Sequence, residues 1–526
     1  MLNNSYDDYQ YDSCVSRGIC SISPRNSALQ TVLVLYLRLF AKYASELDDI
    51  NSIDKETKNF ILNTISITLY NPDFNDREYY FAVEKFKEVL PNIIEKFYKN
   101  NPESKMEEEK TKAYEMYLGT IDIIQAIKYG EKIFMRAQEQ IPAEIRDLYN
   151  IMLIIAKSIS IDLLDLESFD KNSKDGFKTI LQLLSKINLE EKDENILKKE
   201  IYNSARISNQ IVKQVRLAQE ERYGMQSTSN VSYSTTPSKA VLVVGTNIRE
   251  LETILENLKN EPIDIYTHDD MMLAHTFPKF SQYEHLKGQF GHGLENCLLD
   301  FATFPGPIIL TKHSLHNIEN FYRGRLFTTD DISPKGVIKI NNDDFSEVIN
   351  SAKIAKGFKT GKQCETVTIG YDYQNVTSEI QNRISENKYT KIIVIGSDGF
   401  SLEQKTYFEK LIRLTPKDVL IISFSYNSEQ ENLLHINSCF DNYSLINIYE
   451  FIKNFSLPIH IFIPKCERNS VAEMIYLSEN ENTQIYVGKC TPIIINPSLM
   501  NTLQKLFNIK NTTSAKKDLK ELLNQN

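Results

Sequence analysis

From Ala240 onward the chain repeats one pattern: a short, mostly apolar run, a turn, then a helical segment. The runs are Ala240–Val244, Ile263–Tyr266, Pro307–Leu310, Val337–Ile340, Lys391–Ile395, Asp418–Ile422, His460–Ile463 and Gln484–Val487. Ile248 to Leu258 and Leu402 to Leu414 are two of the helical segments between them. A strand that is apolar on successive residues is buried on both faces, and parallel strands need helical crossovers. The pattern therefore predicts parallel sheets covered on both sides by helices. Two such units fit, divided between Ile354 and Val367, so residues 239–360 and 361–526 are expected to form two Rossmann-like α/β domains.

The first part of the chain has a different period. Ser27 to Leu47 places Leu29, Val32, Leu33, Tyr36, Leu37, Phe40 and Tyr43 at helical spacing. Asn75 to Tyr98, Thr111 to Glu139, Pro142 to Leu166, Gly176 to Ile187 and Glu194 to Arg222 continue it, with Pro142 suited to a first helical turn. Residues 1–222 are expected to be an antiparallel helical bundle whose stripes are packing faces, not a cofactor box. Residues 223–238, rich in Ser, Thr and Asn, read as a linker. The fold class is thus α/β multidomain, with an N-terminal helical bundle ahead of two parallel-sheet domains.

Composition narrows the function. The 526 residues carry a net charge of -10 and no long basic run, which argues against nucleic acid or an anionic membrane as partner. No run of ~20 apolar residues is present, and the first residues have neither the basic nor the apolar region of a signal peptide. The expected location is the cytoplasm. Seven cysteines, an odd number thinly spread, do not form a secreted disulfide framework. On this reading the isolated ones, Cys297, Cys364, Cys439, Cys466 and Cys490, are small buried hydrophobes.

In open parallel sheets ligands gather at the carboxyl ends of the strands. Gly245-Thr246-Asn247, Gly396-Ser397-Asp398-Gly399 and Ser423-Phe424-Ser425-Tyr426 are such turns. None matches a dinucleotide or Walker fingerprint, and Ser397 lacks the spacing of a nucleophile elbow, so a turn hydroxyl is the simpler reading.

The segment Val241–Glu252, followed by Asp264–Met271, resembles the hybrid cluster protein family, the prismane or hydroxylamine reductases. Further likeness lies in Ala274-His275, Pro278-Lys279, Phe304-Pro305-Gly306 and Arg325–Thr329, and it extends over essentially the whole chain. The resemblance implies a helical domain and two α/β domains. It also implies an iron–sulfur–oxygen hybrid cluster, held by one histidine, two glutamates and four cysteines, and a separate 4Fe-4S or 2Fe-2S cluster on N-terminal cysteines.

Set against those implied ligands, this chain departs at nearly every position. The G-H-D turn reads Gly245-Thr246-Asn247. T-H-G-E-M reads Thr267-His268-Asp269-Asp270-Met271, leaving Asp270 as a shorter carboxylate. T-T-N-C reads Thr311-Lys312-His313-Ser314. G-G-C-D-G reads Ile395-Gly396-Ser397-Asp398-Gly399, and A-C-G reads Phe424-Ser425-Tyr426. G-Q-C-N-D falls near Tyr449-Glu450, and E-Q-K reads Glu467-Arg468-Asn469. At the N-terminus Cys14 and Cys20 match only half of the cluster motif.

Iron–sulfur clusters need soft, ionised sulfur donors, and a serine hydroxyl is hard and neutral. The expectation is a vestigial pocket of Thr246, Asp270, Ser314, Ser397, Ser425, Glu450 and Glu467, with no cofactor. The chain would then be a binding or regulatory relative with an unknown protein or small-molecule partner. The alternative is a hydroxylamine or nitric oxide reductase with an altered metal site, served by an electron-donor flavoprotein. Asp269, Asp270 and Glu467 could hold a hard divalent ion. His268, His275, His285 and His292 read as structural, and Arg323 and Arg325 as salt-bridging or surface residues.

Overall fold

The computed structural model describes residues 23–68, 75–102, 122–188, 191–291, 296–314, 320–386, 389–397, 402–437, 442–466, 469–489 and 497–524. Its contacts divide the chain into two compact units.

The first unit, Met1–Ile211 with Ile332–Lys335 and Pro492–Thr502, is helical. It contains α1 (Pro24–Ala44), α2 (Lys55–Ile67), α3 (Asp76–Asn100), α4 (Ile123–Gln140), α5 (Ala143–Glu167), α6 (Lys174–Asn188) and most of α7 (Glu194–Tyr223). Side chains close the orphan amides at helix starts: Ser23 accepts from Asn26 N, Asp54 from Thr57 N and Asn75 from Arg77 N. Pro142 is the N-cap of α5, consistent with its place at a helix start. α1 packs against α3, α4 and α6, and Leu29, Leu33, Tyr36, Phe40 and Tyr43 are buried along it. Gly130 lets α4 approach α1 closely, since a Cβ there would lie 2.1 Å from Ala28 O.

The second unit holds two six-stranded parallel sheets and a two-stranded antiparallel ribbon. The ribbon pairs β1 (Ser229–Ser232) with β8 (Thr366–Ile369), so the expected linker 223–238 contains a strand. After β1 come β2 (Lys239–Val244), α8 (Ile248–Leu258), β3 (Ile263–His268), β4 (Leu286–Gln289), α9 (Cys297–Thr303), β5 (Ile308–Leu310), α10 (Asn320–Arg323), β6 (Leu326–Thr328), β7 (Ile338–Lys339) and α11 (Ser346–Ile354). After β8 come α12 (Tyr373–Glu386), β9 (Lys391–Ile395), α13 (Leu402–Leu414), β10 (Val419–Ser423), β11 (Leu433–His435), α14 (Asn442–Ile452), β12 (Ile459–Lys465), α15 (Ser470–Leu477), β13 (Thr483–Lys489), α16 (Pro497–Phe507, counted with the first unit as far as Thr502), β14 (Ile509–Asn511) and α17 (Ala515–Asn524).

The sheets run β4-β3-β2-β5-β6-β7 and β11-β10-β9-β12-β13-β14. Counted within each sheet, both have the order 3-2-1-4-5-6, the doubly wound arrangement. In the first sheet Leu242, Val244, Tyr266, Phe301, Phe304 and Ile308 form one buried face. In the second Ile393, Ile395, Phe408, Ile421, Phe462 and Leu519 do the same, with Phe462 stacked on Tyr486 at 4.7 Å. Each such side chain contributes about 1.5–3 kcal/mol of burial. Among the described residues no helix is long and apolar enough to cross a membrane.

Candidate functional site at the strand ends

A doubly wound sheet opens a crevice where its strand order reverses, between its first and fourth strands. Here those switch points fall between β2 and β5 and between β9 and β12. Thr246 and Ser314 follow β2 and β5, and Ser397 follows β9. Ser425 follows β10, the neighbour of β9.

The first switch point is filled by hydroxyls. Gly245 has φ +127°, and a Cβ on it would lie 1.9 Å from Ser314 Oγ and 2.2 Å from Thr311 Oγ1. Thr311 Oγ1 donates to Val244 O at 3.0 Å and lies 3.1 Å from Ser314 Oγ. Ser314, which is buried, also donates to Lys312 O at 3.3 Å. Thr246 is exposed, while Asn247 caps α8 by accepting from Glu250 N. His313, held at φ +61°, donates its amide to Asp330 Oδ2 at 2.9 Å.

Asp270 is half-buried on the short helical turn Asp269–Thr276 after β3. The histidines near it belong to a structural network. His268 Nε2 lies 3.0 Å from Asp300 Oδ2, with the ring edge-on to Phe301. His275 Nε2 lies 2.9 Å from Thr267 Oγ1, which donates to Gln289 Oε1 at 2.6 Å. Burial pushes the His275 imidazole down to about 4, so it is neutral at pH 7. His285 faces Leu255 O at 3.1 Å, and His292 lies outside the described residues.

At the second sheet Ser425 Oγ donates to Gly396 O at 3.1 Å, and Ser423 Oγ accepts from Tyr426 N at 2.9 Å. Tyr426 stacks on Phe408 at 5.1 Å, filling the space beside the turn with an aromatic ring. Ser397 is buried.

Three expectations need correction. Glu450 is not in a strand-end turn. It lies inside α14, where Lys453 Nζ donates to both its oxygens and Tyr476 Oη donates at 2.5 Å. β11, a strand too short to stand out in the sequence, precedes α14. The sequence after it, Asn437-Ser438-Cys439-Phe440-Asp441, shares the cysteine and aspartate of G-Q-C-N-D, and residues 438–441 lie outside the described residues. Second, Cys466 is not a free buried thiol but disulfide-bonded. Cys297 is buried and free, with burial and then Asp269 and Asp300 pushing its thiol up to about 12, whereas Cys364 is only half-buried. Third, Arg325 makes no salt bridge among the described residues. Its guanidinium donates to the carbonyls of Phe301, Phe304 and Gly306, closing the end of α9.

Glu467, Cys14 and Cys20 also lie outside the described residues. Among the described residues no group of three or more His, Cys, Asp or Glu side chains is placed to hold a metal ion.

Sequence reasoning missed a cleft of about 350 Å³ at the carboxyl ends of β5, β6 and β7. Glu250 of α8 reaches it and accepts from Lys312 N at 2.9 Å and Thr329 Oγ1 at 2.5 Å. Burial pushes the Glu250 carboxyl up to about 7. The signal was a carboxylate in the first turn of a helix that opens at a switch point.

Fold and strand-end geometry together define a multidomain protein with a helical unit and two doubly wound sheets, the sheets presenting turns where a cofactor or substrate would be held. Residues 10–520 match the model of the Prismane/CO dehydrogenase family, and the chain belongs to that family. It is 24% identical to a hydroxylamine reductase of Acidiphilium cryptum over 96% of this chain and 95% of that one. To a hydroxylamine reductase of Thermodesulfovibrio yellowstonii it is 25% identical over 97% and 98%. The likeness to carbon monoxide dehydrogenase IV from Carboxydothermus hydrogenoformans has a TM-score of 0.48 and 10% identity, covering 97% of this chain and 90% of that one, too loose to bear on the site.

Proposed function

We propose that this chain is a cofactor-free member of its family that acts by binding, as a regulatory or assembly partner, and not as a hydroxylamine reductase. The observation that carries this reading is where the hydroxyls point. Ser314 and Ser425 stand where the family pattern has cysteine, and both donate to backbone carbonyls. A cluster ligand must present an ionised soft donor to the metal. These groups are neutral, hard and already engaged. The imidazole of the G-H-D turn is replaced by Thr246, which is exposed. Cys439 and Glu467 keep their types in the sequence, but one thiol and one carboxylate do not replace four thiolates and a histidine. The residues at these turns therefore do not fit the hybrid cluster, and Cys14 and Cys20 are two donors where the N-terminal cluster takes four.

The test is protein purified without oxygen, offered iron and sulfide, and assayed for both together with its visible spectrum. The expected outcome is colourless, iron-free protein that unfolds cooperatively. Stoichiometric iron and sulfide with visible absorption would restore the reductase reading and make Asp270, Cys439 and Glu467 the first residues to replace.

A further inference from the structure

The cleft beside the first switch point has features of a binding site that the cluster reading does not use. It lies where doubly wound sheets take ligands, at the carboxyl ends of β5, β6 and β7, with the start of α8 along one wall. Its lining is charged in both signs. Lys312 and Lys339 oppose Glu250, Asp331 and Asp343, two positive groups against three negative ones. Two of these offer unused valence. Lys312 is half-buried, and its ammonium makes no hydrogen bond or ion pair with any described residue. Burial works against its charge, and Asp331 and then Glu250, acting from a distance, outweigh it and raise the group above its ordinary value. Glu250 spends one oxygen on Lys312 N and Thr329, leaving Oε1 without a hydrogen bond among the described residues. A half-buried ammonium and a half-buried carboxylate oxygen thus keep hydrogen-bonding capacity that a complementary ligand would take up.

Other ligand classes fit less well. A phosphate would need the free amides at the start of α8. Asn247 already takes the amide of Glu250, and the Glu250, Asp331 and Asp343 carboxyls that line the cleft would repel a phosphate. A metal ion lacks a convergent ligand set among the described residues. A fully apolar ligand would strand the charges. Ile340 and Phe345 add a buried apolar corner beside the polar wall.

We propose that this cleft binds a small zwitterion of the α-amino acid class, its carboxylate on Lys312, its ammonium on Glu250 Oε1 and its side chain toward Ile340 and Phe345. The cleft volume suits a single amino acid or a close relative. The assignment stands apart from the cluster reading, because iron content tests one and amino-acid binding tests the other.

The experiment is a thermal-shift screen of the full chain against the twenty standard amino acids. Calorimetry follows for those that raise the midpoint and for their N-acetyl and carboxamide derivatives. The expected result is that at least one amino acid binds and that capping either end weakens it at least about tenfold, roughly 1.4 kcal/mol. Lys312→Met should remove the penalty for capping the carboxylate while keeping the penalty for capping the amine. Glu250→Gln, an isosteric change at the other pole, should do the reverse. Circular dichroism checks that each variant is folded, and Thr329→Val serves as a second cleft variant that keeps both charges. The proposal is overturned if no amino acid binds at about 10 mM, or if capped and free forms bind alike, or if affinity is indifferent to both substitutions.

Discussion

After the first strand of the first sheet comes Gly245, and after the first strand of the second comes Gly396. Both sit at a switch point in sheets of the same strand order. Gly245 is held at φ +127° with two hydroxyls pressed against it. Gly396 is outside the left-handed region, and the nearest atom to a Cβ there would be Phe462 O at 3.3 Å. The first turn is closed by small polar groups bonded to backbone. The second is flanked by a serine bonded to the glycine carbonyl and an aromatic stack. Topology supplies two equivalent crevices, and side chains decide separately what each one holds.

The sharpest way to break this comparison is to add one methyl group to each glycine. Gly245→Ala should destabilise the protein by about 3 kcal/mol or more, because it combines a left-handed backbone with an overlap on Ser314 and Thr311. Gly396→Ala should cost no more than about 1 kcal/mol, since its neighbours need yield only slightly. Urea midpoints of the two variants give the answer, and equal losses would mean that the two turns are packed alike.

Next in size is a charge cluster found beside the first sheet. Glu252 is buried and accepts from Arg222 at 2.7 Å, Arg249 at 2.9 Å and Lys279, joining α7 to α8. Burial works against its charge, but those bonds outweigh it and lower the carboxyl from 4.5 to about 2. Glu252→Gln should cost about 3 kcal/mol by leaving three cations around a neutral group. Because the folded carboxyl is below its ordinary value, its stabilisation is complete above pH 4.5 and is lost as pH falls toward 2. Stability of the wild type should therefore decline between pH 4.5 and 2 more steeply than that of the variant.

Smaller effects separate the two serines. Ser314→Ala and Ser425→Ala should each cost about 1 kcal/mol for one lost hydrogen bond to a backbone carbonyl. A loss near zero at Ser425 with a loss of that size at Ser314 would place the closed turn in the first sheet alone. The remaining signal is a pH response and not a loss at one pH, that of Glu250. Its carboxyl is raised from 4.5 to about 7, so the stability it contributes is present below 4.5 and lost as pH rises through 7. Glu250→Gln should flatten stability across that interval, measured by thermal midpoint at several pH values.

The sheets were legible because their first strands carry apolar residues without a break from Ala240 to Val244 and from Ile392 to Ile395. Lys239–Val244 and Lys391–Ile395 can only be buried on both faces. The strands that escaped notice, β1, β4, β6, β8, β11 and β14, are three or four residues long. Such runs carry too little periodicity to stand apart from turns. The helix Lys55–Ile67 was missed for a related reason, its apolar half being crowded with β-branched residues and its start marked only by the Asp54 cap. Ser425 was legible from its place after a strand, and Ser314 through the family resemblance. That their hydroxyls face inward to carbonyls depends on side-chain rotamers, which no residue pattern encodes.

The ribbon of β1 and β8 has a further consequence. Ser229 pairs with Ile369 and Ser232 with Thr366, so the chain arrives at the first sheet and departs from it along two hydrogen-bonded strands. Everything from β2 to α11 is looped out between adjacent points of backbone. Segments with neighbouring ends can be excised, exchanged or transplanted without stretching what remains. The first sheet is therefore built as a cassette, and the ribbon is the clasp by which such a module could be traded between relatives while the rest of the chain kept its fold.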